Sequence, residues 1–207
     1  MCSSDLTAAH RQNGLTAANF LRTGALPDFA VYACYSCHRD LKVTPWQGDG
    51  RRDALATRAG ELRLQDGHVR TLLVLARAAR SPLEPRLSAA IRALQEASSA
   101  GAGGVPAAAA ELDRLVDQVA GELRARSWPQ ADLGRVLDEL TSAARGGAFP
   151  DQAAGEQAAM GMVLVLAELD QDRKRRADID QLFAALKDGD AFDAARFARV
   201  IGRLQRP

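Results

Sequence analysis

Apolar residues recur along most of the chain at three- and four-residue steps, the spacing that lines one face of an α-helix. Leu15, Ala18, Phe20 and Leu21 give a loose stripe over residues 7–26, which Gly24 and Pro27 stop. Val69, Leu72, Leu73 and Ala76 share one face of a helix that Ser81-Pro82 closes, and Leu87, Ile91 and Leu94 form the next stripe. Leu112, Leu115, Val116, Val119 and Leu123 make the clearest amphipathic helix, and Leu133, Val136, Leu137 and Leu140 make another, ended by Gly146-Gly147. A longer helix over 151–171 carries Met160, Val163, Leu164 and Ala167 on its expected apolar side. Ile179, Leu182, Phe183 and Leu186 follow, stopped at Gly189, and a last helix with Asp190 as its expected N-cap shows Phe197, Ile201 and Leu204.

Two stretches break this rhythm. Residues 27–50 gather Phe29, Val31, Tyr32, Tyr35 and Trp46, and Pro45 with Gly48-Asp49-Gly50 ends them as loop. Ser98-Ser99-Ala100-Gly101-Ala102-Gly103-Gly104 is a run of small residues of the flexible kind. No useful strand alternation and no solenoid repeat is present. The pattern predicts a mainly α fold: a helical and loop segment over 7–98, a small-residue linker over 99–105 and a C-terminal helical bundle over 106–207.

Composition narrows the function classes. Aromatics are only 5% of the chain, so a cluster of them over residues 29–46 suggests an apolar pocket for something flat, with a local hydrophobic mini-core as the plainer alternative. A net charge of +1 gives no surplus of cations for a phosphate backbone, and no nucleic-acid partner is expected. No apolar run approaches the roughly 18 residues of a membrane span.

The chemistry lies at Cys34-Tyr35-Ser36-Cys37-His38, a Cys-x-x-Cys-His pentapeptide. Two thiols at this spacing reach the two vinyl groups on adjacent edges of a haem, and the following imidazole falls beneath the ring as an iron ligand. From the Cys and His content of this chain, chance yields such a pentapeptide roughly once in a thousand sequences. Cys34 and Cys37 are therefore read as thioether attachment points for haem c, His38 as the proximal axial ligand, and Tyr35 and Trp46 as packing for the ring. For the sixth position of the iron the candidates are His68 and His10, with Met160 and Met162 as thioether alternatives. An open position is a further option. Rival readings are a redox disulfide, which prefers a βαβ setting not seen here, and a structural zinc site using Cys34 and Cys37 with two of His10, His38 and His68. A cysteine pair without a cofactor is the plainest alternative.

The segment Phe29-Ala30-Val31-Tyr32-Ala33-Cys34-Tyr35-Ser36-Cys37-His38-Arg39-Asp40-Leu41-Lys42, with Trp46 after it, resembles the last haem site of multihaem c-type cytochromes. More narrowly it is similar to the family of the tetrahaem cytochrome c of nitrifying bacteria. The resemblance covers roughly residues 10–50 well and the remainder only as a similar pattern of helices. It implies covalent haem, mostly bis-histidine ligation, export to the periplasm and electron transfer with a redox partner protein or an adjacent haem domain. The family has several motifs where this chain has one.

The start Met1-Cys2-Ser3-Ser4-Asp5-Leu6 matches a translated sequencing adapter (GTG TGC TCT TCC GAT CTN, with GTG read as a start). On that reading residues 1–6 are an artefact, Cys2 drops out of the cysteine arithmetic, and the chain is the C-terminal fragment of a multihaem cytochrome. The expected function is electron transfer rather than catalysis. The alternatives are a haem enzyme acting on a small nitrogen or oxygen species, and a helical interaction module with a structural zinc site.

Overall fold

A computed structural model describes residues 64–100, 104–169, 173–187 and 192–204. These residues form seven α-helices: α1 Gly67–Ala78, α2 Glu84–Ala100, α3 Val105–Ala125, α4 Gln130–Arg145, α5 Gln152–Glu168, α6 Arg176–Ala184 and α7 Ala194–Ile201, followed by a short 3₁₀ turn Gly202–Leu204. The described residues are mainly α, and no strand occurs among them.

The arrangement is built around α1. Its sequence is apolar on both sides, so it cannot be satisfied by packing on one neighbour. Val69, Leu72, Leu73 and Ala76 pack with Leu87 and Ile91 of α2 and with the Leu112, Leu115, Val116, Val119 and Leu123 stripe of α3. Val74 and Ala78 belong to a second core, made with Val136, Leu137 and Leu140 of α4, Ala158, Ala159 and Met162 of α5, Leu182 of α6 and Phe197 of α7. Leu75 and Trp128 touch both cores. Helices α2 and α3 lie along each other and against α1, so Ser98, Ser99 and Ala100 are the last turn of a helix whose core continues into α3. The small-residue stretch expected as a linker thus joins two helices of one shared core.

Helix ends follow from local chemistry. Asp151 accepts a hydrogen bond from the Ala154 N–H at 2.9 Å and caps α5. Asp193, rather than the expected Asp190, caps α7, accepting from the Ala195 and Arg196 N–H groups. The reason is the aromatic pair on either side: Phe192 just before the cap packs at a tilt against Phe197, with ring centroids 5.7 Å apart, the hydrophobic staple that fixes where a chain enters a helix. Asp190 itself lies outside the described residues. Trp128 donates from its indole N–H to the Leu123 carbonyl and closes α3, while Arg126 lies over the Trp128 ring at 5.5 Å.

Two helices end in the same Schellman geometry. At the end of α4, Gly147 (φ 82°) donates to the Ala144 carbonyl and Ala148 to the Ala143 carbonyl. At the end of α1, Arg80 (φ 55°) donates to Arg77 and Ser81 to Ala76. Glycine adopts the left-handed conformation freely, whereas a side chain there costs about 1–2 kcal/mol. Arg80→Gly should therefore stabilise the protein by about 0.5–1 kcal/mol, a rise of about 2 °C in Tm by calorimetry. An unchanged or lower Tm would show that the Arg80 side chain makes a compensating contact.

One expected face is overturned. The buried side of α5 is Ala154, Gly155, Ala158, Ala159, Met162, Val165 and Leu166. Met160 and Leu164 are 37% and 41% exposed, Ala167 is exposed, and Val163 is half-buried. This helix is apolar all round, so its periodicity cannot select a face. Small residues decide it instead: Gly155 lets Leu186 and Phe192 approach so closely that an added Cβ would lie 3.0 Å from each. Phe183 of α6 is likewise on the outside, at 39% exposure, while Ile179, Leu182 and Leu186 are buried as expected.

Candidate functional site

Cys34, Cys37 and His38, with Tyr35, Trp46 and His10, lie outside the described residues. What the structure describes is where the chain carrying them joins the helical body, and one of the proposed iron ligands at that junction. The Leu64 N–H donates to the Gln95 side chain of α2 at 3.1 Å, and three residues later α1 begins.

The first turn of α1 rests directly on α5. A Cβ on Gly67 would lie 2.8 Å from the Ala154 Cα, so only glycine permits this approach of the two backbones. His68 follows and is placed half-buried beside Gln157, one helical turn beyond Ala154, with a side-chain hydrogen bond between them. Burial lowers the His68 pKa below its ordinary value of 6.5, outweighing the Gln157 hydrogen bond that acts in the opposite sense. At neutral pH the imidazole is therefore uncharged, the form in which histidine ligates a metal.

The same turn is held by a buried charge. Arg70 is 2% exposed, its Nε lies 2.7 Å from the Asp66 carboxylate, and its Nη1 donates to the Ala148 carbonyl at 3.3 Å. That carbonyl belongs to the turn between α4 and α5, so the guanidinium ties the start of α1 to the entry of the helix it rests on. A buried cation is tolerable only with partners of this kind. The Asp66/Arg70 spacing of four residues was visible in the sequence, but its burial was not.

The other candidate ligands separate clearly. Met162 is fully buried in the second core and serves as packing there. Met160, on the same helix, is on the outer surface. Among the described residues no group of three or more His, Cys, Asp or Glu side chains is placed to hold a metal ion. No helix among them is long and apolar enough to cross a membrane.

A second charged cluster joins α3 to α4. Asp132, buried, receives Arg126 at 2.6 Å and Arg135 at 2.7 Å, and Arg135 also donates to the Ala78 carbonyl at the end of α1. The hydrogen bond from Arg126, reinforced by Arg135, holds the Asp132 carboxyl below the usual range. Each member is paired within the fold, and the cluster ties three helices together. The chain matches no protein-family model, no curated protein and no solved structure.

Two measurements check the junction. The unfolded chain holds the His68 proton more tightly than the folded one, so this group favours folding above about pH 6.5 and loses that contribution as pH falls through its lowered folded pKa. Urea midpoints taken from about pH 7.5 to about pH 5 should fall less steeply for His68→Gln than for the unaltered chain; parallel curves would contradict the assignment. Gly67→Ala should cost about 1–3 kcal/mol by forcing α1 off α5, and should shift the His68 ring resonances by NMR.

Proposed function

We propose that this chain is an electron-transfer protein that carries haem c on Cys34 and Cys37, with His38 as the proximal iron ligand, and that it is the C-terminal part of a multihaem cytochrome. The Cys-x-x-Cys-His pentapeptide carries the reading. The haem supplies a one-electron iron couple, whose potential depends on axial ligands and burial. The chain's own residues do the rest. Cys34 and Cys37 would hold the haem through thioether bonds, His38 would supply an imidazole nitrogen to the iron, and Tyr35 and Trp46 would pack on the ring.

For the sixth position we favour His68. Its imidazole is neutral at pH 7 and partly open to solvent, whereas Met162 is sealed inside the helical core. It follows His38 by thirty residues, within easy reach of a looping chain. Two histidines fit the mostly bis-histidine ligation that the resemblance implies. Covalent attachment takes place outside the cytoplasm, so the proposed site of action is the periplasm or cell surface.

The test is expression with a haem-ligation system followed by a pyridine haemochrome assay. The expected result is covalent haem c that disappears in Cys34→Ser/Cys37→Ser. His68→Ala should turn a low-spin spectrum high-spin, with loss of the sharp α band. A low-spin His68→Ala variant would move the sixth ligand to another residue, His10 first. A colourless, correctly processed protein would overturn the whole reading.

A further inference from the structure

Nδ1 of the half-buried His68 imidazole is sealed from solvent, and so is Oε1 of Gln157 on the facing helix α5. Of the two ends of the Gln157 amide it is thus the oxygen that is turned inward, and no other donor among the described residues reaches it. The hydrogen bond between the two side chains strengthens the hold of the ring on its proton, the sense of a bond in which Gln157 accepts and His68 donates. The backbone keeps the pair together. Gly67 brings the first turn of α1 against Ala154, one turn before Gln157, and Arg70 ties that same turn to Asp66 and the Ala148 carbonyl.

A neutral imidazole carries a single proton, on Nδ1 or on Nε2. With the proton on Nε2, two lone pairs would meet inside the protein and the sealed Oε1 would lack its donor, a costly arrangement. With the proton on Nδ1, one hydrogen bond satisfies both sealed atoms. Histidine in water prefers the other tautomer, so the fold reverses the intrinsic choice. The lone pair then lies on Nε2, the nitrogen turned away from Gln157.

We propose that Gln157 is a positioning residue, which fixes the Nδ1–H tautomer of His68 and thereby presents the Nε2 lone pair to a metal. A histidine that binds a metal commonly gives its other ring N–H to such a partner, and loss of the partner weakens the metal bond about tenfold or more. That the metal is a haem iron rests on the haem reading; the tautomer does not.

The experiment has two arms. In the first, the full chain carrying Cys34→Ser/Cys37→Ser, and so no covalent haem, is labelled with ¹⁵N-histidine. The ring nitrogens of His68 are read by NMR at a pH where the imidazole is neutral. The expected result is a proton on Nδ1 that stays there in Gln157→Glu, which keeps an acceptor oxygen. In Gln157→Leu and in the longer Gln157→Met it should move to Nε2, with helical circular dichroism unchanged. A proton on Nε2 in the chain with Gln157 intact would overturn the proposal, as would a tautomer indifferent to both apolar variants. In the second arm, the haem-loaded chain is titrated with cyanide at equal haem content. Cyanide should displace the sixth ligand at about tenfold lower concentration in Gln157→Leu than in the unaltered chain, and an unchanged titration would overturn the metal-facing role. A chain that takes up no haem c would sink the haem reading, whereas the ring-nitrogen result decides the tautomer by itself.

Discussion

A single helix that is apolar on both sides imposes the architecture. Because α1 has no solvent face to spare, it must be enclosed by two layers, and the chain provides them in order: α2 and α3 on one side, α4 to α7 on the other. Everything else serves that enclosure. The Trp128 corner turns the chain from the first layer to the second while touching both cores, and the Arg126–Asp132–Arg135 cluster locks the turn. Arg135 reaches back to the last turn of α1, and Arg70 secures the first. The helix is thus fixed at both ends by cations that find carbonyl oxygens, a solution that stays polar where the middle of the helix is entirely apolar.

Much of this was legible in the sequence, and the failures have physical causes. Helices with a polar side, such as the one bearing Leu112, Leu115, Val116, Val119 and Leu123, were read with the correct buried face because only one face could be buried. The helix bearing Met160 and Met162 was read from the wrong side because its composition offers no contrast, and close packing at Gly155 and Ala158 settled the matter. Asp190 was a reasonable cap by residue type, but the Phe192 and Phe197 rings make Asp193 the better one. The glycine-rich stretch after Ser98 reads as a boundary because flexibility and domain limits share a composition, while the helices on either side of it pack in one shared core. The proposed haem site rests on the sequence motif at Cys34, Cys37 and His38, which lies outside the described residues. The surroundings of His68 were not legible, since Gln157 lies far away in sequence and no local pattern links the two.

The junction between the motif-bearing stretch and the helical body brings the functional reading and the fold together. Gly67 allows the approach of α1 to α5, the approach sets His68 beside Gln157, and the exposed row of Met160 and Leu164 begins one turn further on. His68 beside Gln157 and the exposed Met160 and Leu164 thus lie on successive turns of one helix pair. Among the described residues, His68, Met160 and Leu164 belong to neither core.

The buried Arg70 has a bearing on this that goes beyond stability. A guanidinium clamped between Asp66 and the Ala148 carbonyl pins the backbone two residues from His68. Under the proposed assignment, the imidazole would sit on a helix start already tied to the α4–α5 turn, so little of the chain around it would have to be ordered when a ligand arrives.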